Sequence, residues 1–363
     1  MSAAPPRIRG VRARALNVPV KRPLAVATGA VTHSAFVLVD LETEEGVRGA
    51  SYVWAPAAYA AKPVAQLVAA FGEFLKGDPV APVAIEQKVR KRLTLLGPQG
   101  LQALALSGID MACWDAAAKV AGLPLARYLG GSPQAIPAYN SNGLGIMGPE
   151  RAAQEAVELA AGFRAIKVRL GYPTAADDLA VVRAVRRAVG DGVTLMSDYN
   201  QLLLPPEAEQ RARALDGEGL AWIEEPVRAD DYAGCARVAA AAATPIQIGE
   251  NAWGSRDMQK ALAAAACDYF MADLGRIGGV TGWLRAAALA ETHGVPMSTH
   301  LFPEVSAHLM AVTPTAHWLE YVDWAGPILE TPLEIRDGAA IVPDRPGNGL
   351  AWNEEAVHRY LVD

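Results

Sequence analysis

The 363-residue chain reads as an α/β protein, with an N-terminal α+β segment over about residues 1–133 and a (β/α)-barrel over about 134–325. Three observations carry this expectation. The first ~55 residues are strand-like and the stretch that follows, to Val120, has helical periodicity. Beyond GGSPQAIPAY, short apolar runs alternate with Ala-rich helical segments. The polar residues ending those runs, Arg169, Asp198, Glu224, Glu250, Asp273, His300 and Glu320, recur every 20 to 29 residues. One strand, one helix and two loops need about that length.

Taken in order, RIRGVRARALNVPV and HSAFVLVDLETEEGVRGASYV read as strands, with the acidic, Gly-containing EEG as the hairpin turn. The helical stretch from Ala57 is interrupted at GDP and GPQG, and LQALALSGIDMACWDAAAKV reads as a largely buried helix. The barrel strands are RAIKVR, TLMSD, LAWIE, PIQIGE, DYFMAD, VPMSTH and HWLE. A doubly wound open sheet is the competing topology, but its strand ends do not converge around a ring, whereas those of a parallel barrel meet on one face. GRIGGVTG lacks the G-x-G-x-x-G spacing and a ribose-binding acid, so it is read as a strand-to-helix turn and not as a nucleotide site.

Composition narrows the function. Hydrophobic residues make up 52% and charged residues 20%, which excludes a disordered or disulfide-dense chain. The net charge of −6 offers no basic field for phosphates, so neither nucleic acid nor an anionic membrane is expected as a partner. Cys113, Cys235 and Cys267 sit in apolar or Ala-rich stretches and read as core thiols. The N-terminus has no continuous apolar h-region and no window approaches 18 uncharged apolar residues, which makes the cytoplasm the expected location.

Two constellations carry chemistry. Asp198, Glu224 and Glu250 end three consecutive strands, and hard carboxylate oxygens in that arrangement suit Mg²⁺ or Mn²⁺. Any one of them alone is more often a solvated loop residue; three in register need a counter-charge. Asp273 and His300 end the next two strands, where a carboxylate on one imidazole nitrogen raises the basicity of the other and yields a general base. Glu320 is read as a carboxyl kept protonated by its acidic neighbours, with a plain salt bridge as the alternative. His33, His293, His308, His317 and His358 are read as ordinary hydrogen-bonded residues. In KRPLAVATGAVTH, Leu24, Val26 and Val31 form an apolar group flanked by Lys21, Arg22, Thr28 and His33; with Trp54 they are read as a pocket wall or as plain packing between the two segments.

These residues resemble the mandelate racemase branch of the enolase superfamily, and the likeness runs through ALNVPV, GIDMACWDAAAK, FRAIKVRLGYP, SDYNQ, WIEEP, IGEN, RIGGVTGW, STHLFPEVSAHL and TPTAHWLE. The resemblance implies a modified (β/α)7β TIM barrel, an α+β capping domain over residues 1–133, and a C-terminal segment, 326–363, returning to the cap. It implies Asp198, Glu224 and Glu250 as Mg²⁺ ligands, His300 with Asp273 as a base dyad and Glu320 as an electrophile. Lys167 and Ser141 are implied contacts of the substrate carboxylate, with Asn200 beside them. Homo-oligomers, dimers or octamers, are implied as well.

The family's racemase pattern is Lys-x-Lys, and here the second position is Arg169. A guanidinium with a pKa above ~12 is a poor base. Arg169 is read either as paired with neighbouring carboxylates or as a bidentate grip on substrate. The expected activity is therefore removal of the proton α to the carboxylate of a 2-hydroxy acid through an enediolate, with acid-sugar dehydration by the His300–Asp273 dyad favoured. A mandelate-type racemase or epimerase is the alternative, and a non-catalytic carboxylate-binding barrel the third.

Overall fold

The structure is a computed structural model that describes residues 5–26, 29–97 and 99–362. Strands β1 (Ile8–Val26), β2 (Gly29–Thr43) and β3 (Arg48–Ala55) form an antiparallel sheet in sequence order. The β2–β3 turn falls at EEG, where Gly46 takes the left-handed φ of +85° that a tight turn needs. Helices α1 (Ala58–Leu75), α2 (Pro82–Arg92) and α3 (Leu101–Val120) follow, then the short α4 (Leu125–Tyr128). The chain breaks between α1 and α2 at GDP, as its turn residues dictate; Pro98 of the expected GPQG break lies outside the described residues. α3 is apolar on nearly all sides because it is buried between the sheet and later elements. Gly49 of β3 permits this approach: a Cβ there would stand 2.0 Å from the Ala112 carbonyl oxygen.

From residue 135 the chain builds a closed ring. Its strands are β4 (Ala135–Asn140), β5 (Ala165–Arg169), β6 (Thr194–Asp198), β7 (Leu220–Glu224), β8 (Ile246–Ile248), β9 (Tyr269–Asp273), β10 (Met297–His300) and β11 (Leu319–Tyr321). Neighbours from β4 to β10 pair in parallel and β11 pairs with β4. Backbone bonds between β10 and the run into β11 close the circle, Met297 N–H to Thr315 O and Thr299 N–H to Trp318 O. Helices α5 (Pro149–Ala160), α6 (Ala175–Val189), α7 (Pro205–Leu215), α8 (Tyr232–Ala241), α9 (Ser255–Ala263), α10 (Leu274–Ile277), α11 (Gly279–His293) and α12 (Pro303–Met310) fill the crossovers. The result is the (β/α)7β barrel, and the ring closure removes the open-sheet alternative. Pro at the first turn of α2, α5, α7 and α12 and the Thr174–Asp177 capping box of α6 set where helices start.

The C-terminal stretch adds the hairpin β12 (Ile335–Arg336) and β13 (Ala339–Ile341), which pairs antiparallel with β4, and the helix α13 (Glu354–Arg359). Beyond the hairpin it returns to the three-stranded sheet. Trp352 Nε1–H donates to Asp40 Oδ1 at 2.7 Å, Arg14 bridges Asp40 and Glu354, and Tyr360 O accepts from Asn17 N–H. No helix among the described residues is long and apolar enough to cross a membrane.

His308, fully buried on α12, accepts from Ala126 N–H at Nδ1 and stands 3.2 Å from Asn348 O at Nε2, joining α4, α12 and the C-terminal stretch. Burial pushes its pKa down to about 4, and does the same to His317. Below the unfolded value of ~6.5 the unfolded chain takes up protons that these folded imidazoles refuse, so stability falls as pH drops from ~6.5 to 4. The unfolding midpoint is expected to be lower at pH 5 than at pH 7, and His308→Gln is expected to flatten that dependence; an unchanged pH slope in the variant contradicts this.

Candidate active site

All of the polar residues singled out at strand ends gather at the C-terminal mouth of the barrel, as parallel strands require. Glu250 differs in detail: β8 ends at Ile248, so Glu250 sits in the following turn, past a Gly249 with φ +129°. A Cβ at Gly249 would lie 2.6 Å from the Met271 carbonyl oxygen, so this tight turn needs glycine.

Lys167 occupies the centre of the cluster, with 1% of its surface exposed. Its Nζ lies 2.5 Å from Glu224 Oε1, 3.1 Å from Glu320 Oε1 and 3.3 Å from Asp198 Oδ2. Burial pushes the ammonium pKa down, but Glu224, Glu320 and Asp198 more than reverse this and hold it charged. Glu224 is fixed from the far side by Trp222 Nε1–H at 3.0 Å and Gln247 Nε2–H at 3.3 Å. Burial raises its pKa to about 8, with Lys167 working against the shift and the carboxylates of Asp198, Glu320 and Glu250 adding to it. Asp198 accepts from the Asn200 backbone N–H at 2.8 Å and from its side-chain amide at 3.0 Å.

The dyad is formed. His300 Nδ1 lies 2.7 Å from Asp273 Oδ2, and Asp273 Oδ1 accepts from Arg276 N–H, so the carboxylate orients the ring. His300 Nε2 faces Glu250 Oε2 at 3.3 Å. Burial lowers the imidazole pKa, but Glu250, Asp273 and Glu320 together lift it to about 9.

Three expectations change. Glu320 forms the salt bridge read as its alternative, with Oε1 3.1 Å from Lys167 Nζ: burial alone would raise its pKa, but Lys167, His300, the Leu301 N–H (2.9 Å to Oε2) and the Ser141 hydroxyl hold it below the usual carboxylate range. Arg169 is not paired with a carboxylate within 4.0 Å among the described residues. Its Nη1 donates to the carbonyls of Ser141 (2.8 Å) and Gly143 (3.0 Å), and its Nη2 to Ser141 Oγ (2.9 Å). Three of its five N–H donors are so engaged, and Nε is buried without a partner, so the fork is fixed at its Nη1 end while Nε and the second Nη2 N–H carry no bond among the described residues. Finally, the expected capping loop is an extension of the β1–β2 ribbon. It docks on the β4–α5 loop through Ile146 N–H to Ala25 O at 2.7 Å and on the β11 side through Lys21–Asp323 at 2.8 Å. Leu24 is buried, Val26 and Val31 are half-buried, and Thr28 lies outside the described residues.

Trp54 stands edge-on to His300 at 6.3 Å, beside Trp324 at 6.2 Å and the Arg276 guanidinium at 5.6 Å. Trp324, Arg276, Trp222 and Glu225 were not singled out from sequence. Glu225 follows Glu224 with a left-handed φ of +37° and takes both side-chain oxygens to Asn251, which also bonds Glu250. Its signal was the doubled acid of WIEEP.

A hard divalent cation fits the chemistry of this donor set. Asp198, Glu224, Glu225, Glu250, Asp273 and Glu320 outnumber the permanent cations Lys167, Arg169 and Arg276 around them. Among the described residues the oxygens do not form a closed three-donor cage; Lys167 draws Glu224 and Asp198, and His300 and Asn251 draw Glu250.

Residues 8–130 match the mandelate racemase/muconate lactonizing enzyme N-terminal domain, and residues 150–356 match the enolase C-terminal domain-like family. The chain belongs to the mandelate racemase branch of the enolase superfamily. An enolase from alpha proteobacterium BAL199, solved with bound Mg, is 46% identical with a TM-score of 0.96, over 98% of this chain and 99% of that one. An enolase from Bradyrhizobium, complexed with magnesium and mandelic acid, is 43% identical with a TM-score of 0.95 over the full length of both. L-talarate/galactarate dehydratase of Salmonella typhimurium is 32% identical over 358 residues, 96% of this chain and 90% of that protein. The protein is an enzyme of dehydratase or racemase type.

Cation binding is testable without a substrate. Adding MgCl₂ at ~100 times the dissociation constant is expected to stabilise the fold by about 2.7 kcal/mol, read as a rise in the unfolding midpoint. Asp198→Asn with Glu250→Gln is expected to abolish that rise; an equal rise in the double variant places the cation elsewhere.

Proposed function

We propose that this enzyme removes the proton α to the carboxylate of a 2-hydroxy acid with a single base, His300, and dehydrates an acid sugar. The observation that carries the reading is the pairing of a hydrogen-bonded His300–Asp273 dyad with an arginine, not a titratable lysine, at position 169, three of whose donors are tied to Ser141 and Gly143. Asp198, Glu224 and Glu250 are the proposed ligands of Mg²⁺, which supplies positive charge against the second negative charge that the substrate carboxylate develops. Lys167, held charged by its carboxylate neighbours, supplies a further share on the other oxygen. Ser141, fixed by Arg169, and Asn200, fixed on Asp198, orient the substrate.

His300, in its neutral form with Nε2 free of Glu250, takes the α-proton at Nε2, with Asp273 stabilising the imidazolium that forms. The protonated ring then serves as the acid that assists departure of a β-hydroxyl. Glu320 pairs with Lys167 and accepts from the Leu301 amide, so it holds both in place.

A second reading, turnover of an aromatic acid, is favoured by the Trp54–Trp324 wall beside His300 and by Leu24 and Val26 of the ribbon. It is in keeping with the mandelic acid bound by the Bradyrhizobium enzyme. Two-base inversion of such a substrate needs a base that Arg169 does not supply.

His300→Asn is expected to reduce α-proton exchange into D₂O by about 10²–10⁴-fold while keeping the Mg²⁺-induced rise in unfolding midpoint. Exchange that survives in the variant, followed by proton NMR, removes His300 from this role. Arg169→Lys is expected to add inversion on an acid that the wild-type enzyme only exchanges. No gain on any exchanged acid shows that a missing base is not what limits the wild type.

A further inference from the structure

Leu301 and Phe302, directly after His300, both hold a left-handed backbone with φ of +50°. Two consecutive non-glycine residues in this region are strained, and such strain persists only where the surroundings over-determine it. On the barrel side, Leu301 N–H bonds Glu320, while Val305 and Ser306 N–H cap the Phe302 carbonyl. The Ser306 hydroxyl also donates to the Leu301 carbonyl at 3.3 Å, and further support comes from the cap. The Tyr52 ring stacks on Phe302 at 5.0 Å with 17° between planes, and its hydroxyl donates to Glu304 Oε2 at 2.7 Å, in the first turn of α12. Tyr52 and Glu304 are 2% and 6% exposed, so this is a buried hydrogen bond to a carboxyl that otherwise faces a costly desolvation. Trp54, two residues further on the same strand, packs against the His300 ring itself.

We propose that Tyr52 is a positioning residue for His300. The bracket of Tyr52, Phe302 and Glu304 converts docking of the cap sheet into the left-handed turn at Leu301–Phe302. That turn sets both the direction of the imidazole toward Asp273 and the aim of the Leu301 N–H at Glu320. The aromatic ring braces the turn, and the hydroxyl ties it to α12 so that ring and helix move together. The inference rests on His300 acting as the base.

The test uses the full-length enzyme with Mg²⁺, both mandelate enantiomers and a panel of acid sugars. Tyr52→Phe keeps the stack and removes the hydroxyl; it is expected to lower kcat for α-proton exchange about tenfold while KM stays within about twofold. Glu304→Gln, whose amide oxygen still accepts the hydroxyl, is expected to stay near the wild type, and Glu304→Ala to match Tyr52→Phe. A readout independent of turnover is the ¹⁵N–¹H NMR signal of His300 Nδ1–H, expected to move in Tyr52→Phe and to stay in place in Glu304→Gln, with His308 unmoved in both. Wild-type kcat with an unmoved His300 signal in Tyr52→Phe overturns the proposal, as does a uniform shift of all histidine signals. If the wild-type enzyme exchanges none of the acids, the functional reading fails on its own and the NMR signal alone decides the role of Tyr52.

Discussion

The ammonium of Lys167, buried between Asp198, Glu224 and Glu320, is the interaction on which the mouth of this barrel depends. Carboxyl groups at consecutive strand ends repel one another in a medium that screens poorly, and a buried charge without a partner costs several kcal/mol. A single lysine offsets part of this. The remainder appears in Glu224, whose carboxyl burial and its acidic neighbours drive up to about 8. The site is therefore assembled at the expense of stability, and its demand for positive charge is what suits it to a divalent cation and to an anion formed during reaction.

Groups at the mouth are held in place by hydrogen bonds from neighbouring residues. Asp273 orients His300 and is anchored by the Arg276 amide; Trp222 and Gln247 steer Glu224; Asn251 joins Glu225 to Glu250. Arg169 contributes to this supporting set through the three donors it gives to Ser141 and Gly143. Replacement of a lysine by arginine at this point exchanges a titratable amine for a planar clamp.

The fold was legible because strand length and helix length combine into a steady repeat, and because polar residues ending apolar runs mark one face of a parallel barrel. The α3 helix was readable to its ends from LQALALSGIDMACWDAAAKV, whose near-continuous apolar character needs burial on all sides. Glu250 fell past its strand because Gly249 ends β8 early, a backbone effect that the apolar run does not encode. The protonation of Glu320 and the partners of Arg169 were not legible, since both depend on which oxygen or amide approaches from strands remote in sequence. Tyr52, Trp324 and Arg276 gave no motif; they matter through packing between cap and barrel, which one chain pattern does not reveal.

The most direct test of single-base chemistry is proton NMR of the wild-type enzyme in D₂O with Mg²⁺, offered acid sugars epimeric at C2 and both mandelate enantiomers. The expected result is exchange or dehydration of one C2 configuration alone, with no inversion. Exchange of both enantiomers with interconversion would contradict it, because inversion needs a second base besides His300 and a guanidinium is a poor one.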